Sequence, residues 1–289
     1  MQQFLKLMAV WVAILSSMPA AIASESQYIE SFDGETLHYK IYGSGEETIL
    51  FVHGWMCDET FWNAQIEEFS NGFQVITLDL PGHGKSSKTR KGWTIEAYGK
   101  DIITLANKLD LQNIILVGHS MGGPVVVEAA SGLQGRIEAV VGVDTMKRPN
   151  MVLDEATING MAASMRQNFK TMMHQMVRGG YFHETADPAL VDRVVRVMEK
   201  GDPDSAVEMV LSLYGYDQVS AIKALQAMPL VFINSNVKPV DIEGLSALHA
   251  GVRILRLDGV GHFLMMERPA DFNAVLRSEI LQATGKLHY

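Results

Sequence analysis

The fold is decided by the stretch IILVGHSMGGPVVVEAA, which spans residues 114–130. Its first residues are leucine or β-branched, which is typical of a buried strand, and the run from Pro124 onward favours a helix. Between the two lies a G-x-S-x-G motif from Gly118 to Gly122, with Ser120 at its centre. Glycine is required at both ends because a side chain would collide with the neighbouring strand or helix. The turn presents the hydroxyl outward, so Ser120 is predicted to be a nucleophile.

The helix that follows Ser120 is expected to stabilise negative charge beside it. The backbone N–H groups of a first helical turn have no partner inside the helix, and the positive end of the helix dipole points at the same place. Both features favour an oxyanion that develops next to the serine. The backbone N–H of Met121 is therefore predicted to be an oxyanion donor.

Strands and helices alternate on both sides of this motif. Short apolar, β-branched runs predict strands at residues 48–52, 74–78, 114–117, 139–143, 230–233 and 253–257. Residues 94–109 carry apolar side chains at helical spacing, which predicts a helix lying on the sheet, and another helix is predicted at 269–284. Residues 26–42 are expected to add two antiparallel edge strands. The pattern predicts an α/β fold with a mostly parallel central sheet.

Residues 145–228 lack strand signals and carry helical segments instead, for example at 188–199 and 202–214. An inserted helical cap over this range is the simplest interpretation. The core then consists of residues 24–144 and 229–289. The methionines of the cap either line an adaptable apolar pocket or pack the cap onto the core. They are Met161, Met165, Met172, Met173, Met176, Met198 and Met209.

Charge and composition narrow the classes of partner. The formal net charge is −9, and lysine and arginine are scattered rather than grouped, which argues against nucleic acid. The sequence contains no phosphate loop, metal-ligand cluster or dinucleotide fingerprint, so no cofactor is predicted and a small molecule is the expected partner. The single cysteine, Cys57, is interpreted as a small buried hydrophobe rather than a reactive thiol. An oligomeric state is not predicted.

The first residues are typical of a secretory signal peptide. In MQQFLKLMAVWVAILSSMPAAIA, residues 1–23, Lys6 precedes an apolar run, and Pro19 precedes a small-residue pattern that ends at Ala23. An uncleaved membrane anchor is the alternative, although serines and Pro19 interrupt the apolar run. Cleavage is predicted after Ala23. The mature protein is then secreted or periplasmic, without stable membrane association.

On these motifs the chain resembles the α/β-hydrolase superfamily, in particular its capped, single-domain, esterase-like serine hydrolases. The resemblance covers nearly all of the sequence after the signal peptide and implies a central sheet flanked by helices with an inserted helical cap. The family places a second oxyanion donor after a His-Gly pair, and here His53 and Gly54 precede Trp55. The resemblance therefore implies the backbone N–H of Trp55 as that donor.

The resemblance also separates structural histidines from the catalytic base. The family's base comes last in the chain, so His53 is expected to be structural. The segment DLPGHGKS at residues 79–86 resembles a turn-rich family signature, in which Asp79 and His83 belong to the scaffold. The loop after the last predicted strand reads LDGVGHF and presents His262 between glycines and an apolar residue. The resemblance implies His262 as the base.

The acid that orients the base departs from the common family pattern. Most members carry an aspartate on the loop after the strand that here is 230–233, but Asn236 or Lys238 occupies that place. Some members carry the acid one strand earlier, and the strand at 139–143 is followed by Asp144. Asp144 is the first choice, and Asp241, on a slightly longer loop, is the alternative.

A serine at the motif selects the reaction class. Haloalkane dehalogenases and epoxide hydrolases of this fold use an aspartate there, so acyl transfer through an acyl-enzyme remains. The resemblance implies hydrolysis of carboxylic esters, or of lactones or thioesters, of small apolar substrates by Ser120, Asp144 and His262. An amidase or aminopeptidase-like hydrolase is one alternative. A ligand-binding protein with low turnover is another.

Overall fold

The computed structural model describes residues 24–286, which form one eight-stranded sheet. The strands are β1 (Gln27–Glu30), β2 (Thr36–Tyr42), β3 (Thr48–Val52), β4 (Gln74–Asp79), β5 (Ile114–His119), β6 (Ile137–Val143), β7 (Leu230–Ser235) and β8 (Arg253–Leu257). Their order is β1-β2-β4-β3-β5-β6-β7-β8, and β2 runs antiparallel to both neighbours while β3 to β8 are parallel. The expected mostly parallel sheet and its antiparallel edge are confirmed.

The helices follow the strands along the chain. They are α1 (Asn63–Phe69), α2 (Ile95–Lys108), α3 (Gly122–Gly132), α4 (Glu155–Met176), α5 (Pro188–Met198), α6 (Pro203–Gly215), α7 (Gln218–Ala224), α8 (Ile242–Leu248), α9 (Leu264–Glu267) and α10 (Pro269–Thr284). Helix α2 begins where the Thr94 side chain accepts a hydrogen bond from the Ala97 N–H at 3.1 Å. Its apolar stripe, which includes Ile95, Ile102 and Leu105, is fully buried, as its spacing predicts.

The register of the sheet brings several loops to one edge. Gly118 of β5 pairs with Val52 of β3 on one side and with Gly142 of β6 on the other. Because these strands are parallel and end at the same level, the loops that follow them emerge side by side at their carboxyl ends. Ligands bind at this edge in open α/β sheets.

Helices α4 to α7 lie between β6 and β7, inside the segment predicted as a cap. Aspartates cap α5 and α6, and each helix has a proline in its first turn. The helical segment contacts the loops at the strand ends, since the Trp55 indole donates to the Ala206 carbonyl at 3.1 Å. The Arg193 guanidinium likewise donates to the Thr60 carbonyl at 2.8 Å.

The signal-peptide prediction for residues 1–23 lies outside the described residues. Across residues 24–286, none of the helices combines the length and apolar character needed to cross a membrane.

Candidate active site

Ser120 lies in a strained turn between β5 and α3. Its φ of +53° is in the left-handed region, which non-glycine residues rarely adopt. Hydrogen bonds hold the turn in place: the Ser120 N–H donates to the Val143 carbonyl at 3.0 Å, and its carbonyl accepts from the Thr145 hydroxyl at 2.6 Å. The backbone strain is thus supported by β6 and by the loop that follows it, and the side chain faces a cavity.

The glycines of the motif are required by close backbone packing. A Cβ on Gly122 would lie 2.5 Å from the Val52 carbonyl oxygen and 2.7 Å from that of His53. A Cβ on Gly118 would overlap the carbonyl oxygen of Gly122. Both positions therefore exclude any side chain, as the motif predicts.

We expect Gly122→Ala to destabilise the fold by about 1–3 kcal/mol and to lower activity, because β3 and α3 must separate to admit the methyl group. The matched control is Gly160→Ala in α4, where a Cβ would meet nothing within 4 Å. That control should be neutral or slightly stabilising. Denaturant unfolding of both variants is the measurement, and equal free energies of unfolding would contradict the packing explanation.

His262 is held by its ring and by its backbone. The Nδ1–H of the imidazole donates to Asp144 Oδ2 at 2.7 Å, so in the neutral ring Nε2 carries no proton and can accept one. The His262 N–H donates to the Tyr181 carbonyl at 2.5 Å, and its carbonyl accepts from His119 Nε2 at 2.9 Å. Gly261 admits this approach, since a Cβ there would lie 2.6 Å from the Phe182 Cα.

Asp144 is buried and accepts several hydrogen bonds. Its Oδ1 accepts from the Ser235 N–H at 2.7 Å and pairs with the Lys147 ammonium at 2.7 Å, while Oδ2 accepts the hydrogen bond from His262 Nδ1. Burial raises the pKa of Asp144, but the His262 hydrogen bond and the charges of His262 and Lys147 lower it more, so the pKa lies well below its usual range. The carboxylate is therefore ionised at neutral pH.

Asp241, the alternative acid, has a different contact. It is the N-cap of α8, where its Oδ1 accepts from the Gly244 N–H at 2.9 Å. Its backbone N–H donates to the Lys147 carbonyl at 2.7 Å. The structure thus brings Asp144 to His262, whereas the carboxylate of Asp241 caps a helix.

The backbone N–H groups of Trp55 and Met121 lie on loops beside Ser120. A Cβ on Gly54 would lie 3.0 Å from the Ser120 Cβ, so the loop that carries Trp55 passes directly against the serine. Among residues 24–286, neither N–H donates to another protein group. Both donors are therefore available to an oxygen bound at Ser120.

A model of the alpha/beta hydrolase family matches residues 49–275. The chain belongs to this family. A relative from Cupriavidus necator, the dihydrolipoyllysine-residue acetyltransferase component of an acetoin cleaving system, is 25% identical over 270 residues, which cover 89% of this chain and 70% of the relative. A non-heme chloroperoxidase from Streptomyces lividans is 30% identical over 148 residues, 50% of this chain and 53% of the relative.

Solved structures show the same fold. A thermophilic esterase from Thermogutta terrifontis superimposes with a TM-score of 0.79 at 24% identity, covering 90% of this chain and 100% of the esterase. A bromoperoxidase from Bacillus anthracis gives a TM-score of 0.80 at 21% identity, over 89% of this chain and 99% of the other. At these identities the likeness establishes the α/β-hydrolase fold alone.

A cavity of about 210 Å³ joins the serine and the histidine of this α/β hydrolase. Its lining includes apolar side chains from the helical segment between β6 and β7, namely Met161, Met165, Met176, Met198, Val210 and Leu213. Met173 and Met209 are instead fully buried in the core. The methionines thus serve both of the roles that the sequence left open.

The histidine predicted to be structural, His53, is fully buried beneath the site. Its Nδ1–H donates to the Gly54 carbonyl at 2.8 Å, and its Nε2 accepts from the Leu80 N–H at 3.0 Å. Burial lowers the pKa of His53 despite the attraction of nearby Asp79, so the ring stays neutral. His53 positions the loops after β3 and β4.

Asp79, His83 and Cys57 are also buried. Asp79 accepts hydrogen bonds from His38 Nδ1 and from the Glu59 N–H, each at 2.8 Å. Burial raises the pKa of Asp79, but these hydrogen bonds contribute to a net lowering of that pKa to about 2. Burial and the neighbouring His53 lower the pKa of His83 to about 3.

Burial raises the pKa of the Cys57 thiol well above its ordinary value, which disfavours the thiolate. Across residues 24–286, no group of three or more His, Cys, Asp or Glu could hold a metal ion.

Lys147 is a site residue that sequence reasoning did not identify. Its ammonium binds Asp144 Oδ1 at 2.7 Å, and it also donates to the Ser235 hydroxyl at 3.1 Å and carbonyl at 3.3 Å. Its side chain is only 11% exposed. The sequence does show a lysine three positions after the candidate acid. The direction of the Lys147 side chain, however, depends on the contact between the loops after β6 and β7.

We expect Lys147→Met to lower the free energy of unfolding at pH 7 by about 1–3 kcal/mol, because the buried carboxylate loses its counterion. The lowered pKa of Asp144 stabilises the fold above its unfolded value near 3.8, and this contribution is lost as the pH falls toward the folded value. The difference between the variant and the wild type should therefore narrow below about pH 4.

Denaturant unfolding from pH 3 to pH 7 measures the difference in free energy of unfolding between Lys147→Met and the wild type. The matched control is Lys223→Met, at an exposed position. A pH-independent difference, or a loss as large in the control, would contradict the ion-pair explanation.

Proposed function

We propose that this α/β hydrolase is a serine hydrolase that cleaves carboxylic esters of small, apolar substrates through an acyl-enzyme on Ser120. Lactones and thioesters fall within the same chemistry. The observation that carries the proposal is the contact of 2.7 Å between His262 Nδ1 and the ionised Asp144, in one cavity with a serine held at a sharp turn.

In the proposed mechanism, Ser120 Oγ attacks the substrate carbonyl while His262 Nε2 takes its proton. The developing oxyanion accepts hydrogen bonds from the backbone N–H groups of Trp55 and Met121. Asp144 holds the imidazole in the required tautomer and stabilises the imidazolium. His262 then returns the proton to the leaving alcohol and activates the water that hydrolyses the acyl-enzyme.

Among residues 24–286, the Ser120 hydroxyl does not form a hydrogen bond with His262. This fits the proposal because such contacts often tighten only when substrate is bound. The cavity of about 210 Å³, with methionines in its lining, supports a small apolar acyl group, and the segment 145–228 is proposed as the cap that sets this preference.

A series of p-nitrophenyl esters of increasing acyl length, with Ser120→Ala as the control, tests the proposal. We expect steady turnover that is greatest for short chains and is absent in the variant. Faster release from matched p-nitroanilides would favour the amidase alternative. Tight ligand binding without any burst or steady turnover would favour a binding protein instead.

We also propose that residues 1–23 direct export and are removed after Ala23, which leaves a secreted or periplasmic protein. Expression of the full sequence in a host with a periplasm, followed by N-terminal sequencing, tests this. A mature protein that begins at Ser24 supports the proposal, and one that retains the first residues in the membrane fraction contradicts it.

A further inference from the structure

A second cavity opens beside Ser120, next to the loop that follows β6. It has a volume of about 210 Å³ and shares six lining residues with the first cavity, namely Ser120, Asp144, Lys147, Leu213, Tyr214 and Lys238. Arg148 lines the second cavity but not the first. The space around the nucleophile is therefore lined both by apolar side chains of the helical segment and by cationic side chains of the loops after β6 and β7.

The charges that line these two cavities are not balanced. The charged side chains that line the two cavities are Asp144, Lys147, Arg148 and Lys238. Asp144 and Lys147 pair with each other, and within residues 24–286 neither Arg148 nor Lys238 forms an ion pair. A site with two uncompensated cations on a chain of net charge −9 creates a local positive potential that attracts anions.

The two cations lie on loops that are tied together. Arg148 follows directly after Lys147 on the loop after β6, and Lys238 lies on the loop after β7. The Asp241 N–H donates to the Lys147 carbonyl at 2.7 Å, and the Lys147 ammonium donates to Ser235. These bonds hold the loops side by side at the mouth of the site.

We propose that the substrate of this enzyme carries a carboxylate, which Arg148 and Lys238 bind while Ser120 attacks the ester carbonyl. This rests on the proposed ester hydrolysis and names the class of ester: a small substrate that is apolar apart from one carboxylate. The guanidinium of Arg148 can bind a carboxylate with two parallel hydrogen bonds, and Lys238 adds a point charge. The apolar side chains that line the same space contact the remainder of the substrate.

Matched ester pairs test the proposal and distinguish which side of the ester bears the charge. On the acyl side, monomethyl glutarate is compared with methyl 4-carbamoylbutanoate, in which a neutral amide replaces the carboxylate. On the alcohol side, acetoxyacetate is compared with acetoxyacetamide. We expect kcat/KM for the carboxylate of at least one pair to exceed that of its amide by about tenfold, and the ratio to fall with added salt.

The variants Arg148→Gln and Lys238→Gln should each lower this ratio by about threefold or more, and the double variant should bring it close to one. The controls Arg256→Gln and Lys223→Gln remove the same charges from exposed positions that line neither cavity. They should leave the ratio unchanged. A wild-type ratio near one for both pairs, or a ratio that the double variant retains, would overturn the inference.

Failure of the underlying ester hydrolysis has a different signature. If neither the carboxylates nor the amides are hydrolysed, calorimetry with Ser120→Ala and monomethyl glutarate still measures binding. Binding that the Arg148→Gln exchange weakens supports the carboxylate site even without turnover. Absence of binding overturns it.

Discussion

The variant Asp144→Asn is expected to lose about 10³- to 10⁴-fold in kcat on a short ester, whereas Asp241→Asn should retain wild-type activity. An asparagine has no charge to stabilise the imidazolium, and its amide can favour the wrong tautomer of His262. Asp241 contacts the Gly244 N–H at the start of α8 and makes no contact with the imidazole. The contrast between the two aspartates follows directly from these contacts.

The pair of variants also separates catalysis from folding. Asparagine is as good an N-cap as aspartate, so Asp241→Asn should unfold close to the wild-type midpoint. Asp144→Asn leaves the Lys147 ammonium without its anion, so its stability must be measured beside its kinetics. Single-turnover rates at a temperature at which both variants are folded are the measurement. A fully active Asp144→Asn enzyme would show that another group orients His262.

Ser120→Ala, His262→Ala and the double variant should all lose about 10⁵- to 10⁶-fold in kcat, with no further loss in the double variant. The nucleophile and its base act as a unit, because the hydroxyl is a weak nucleophile unless the imidazole removes its proton. Effects that multiplied in the double variant would mean that His262 acts independently of Ser120.

The matched control for the histidine is His174→Ala. His174 lies on α4, is exposed, and contacts Glu199 at 2.9 Å away from the cavity. This variant should keep wild-type activity. Circular dichroism of all four proteins verifies that the losses are not due to unfolding.

The core strands were predictable because buried strands consist almost entirely of apolar residues. All five residues of β3 and all six of β5 are buried, so neither strand needs a polar face, and the apolar runs at 48–52 and 114–117 predict both within two residues. The turn at Ser120 was predictable for a related reason. Its glycines stand at fixed positions of a short motif between a strand and a helix, and such a motif is visible in a single sequence even though Gly122 packs against β3.

Shorter elements were not predictable. Helices α1 and α8 have seven residues each, which is too few for a helical period to stand out. Helix α8 is capped by Asp241. The alternative acid predicted from the sequence is therefore the N-cap of a helix. A capping signal and a catalytic acid on a loop look alike until the structure shows the partner of the carboxylate.

The environment of the candidate acid depended on tertiary structure. Chain order suggested Asp144, but the contacts of its Oδ1 with Lys147 and the Ser235 N–H require the loops after β6 and β7 to meet. The Tyr181 carbonyl that holds the His262 backbone comes from the helical segment, about eighty residues away. No local pattern encodes such contacts, because they are made by segments that only the fold brings together.

The most direct test of the central claim is mass spectrometry of the protein after reaction with a slowly hydrolysed p-nitrophenyl ester. The acyl-enzyme should appear as a single mass increase equal to the acyl group, and peptide mapping should place it on Ser120. It should be absent from Ser120→Ala and should accumulate in variants that slow deacylation. An acyl group found on another residue, or undiminished labelling of Ser120→Ala, would contradict Ser120 as the nucleophile.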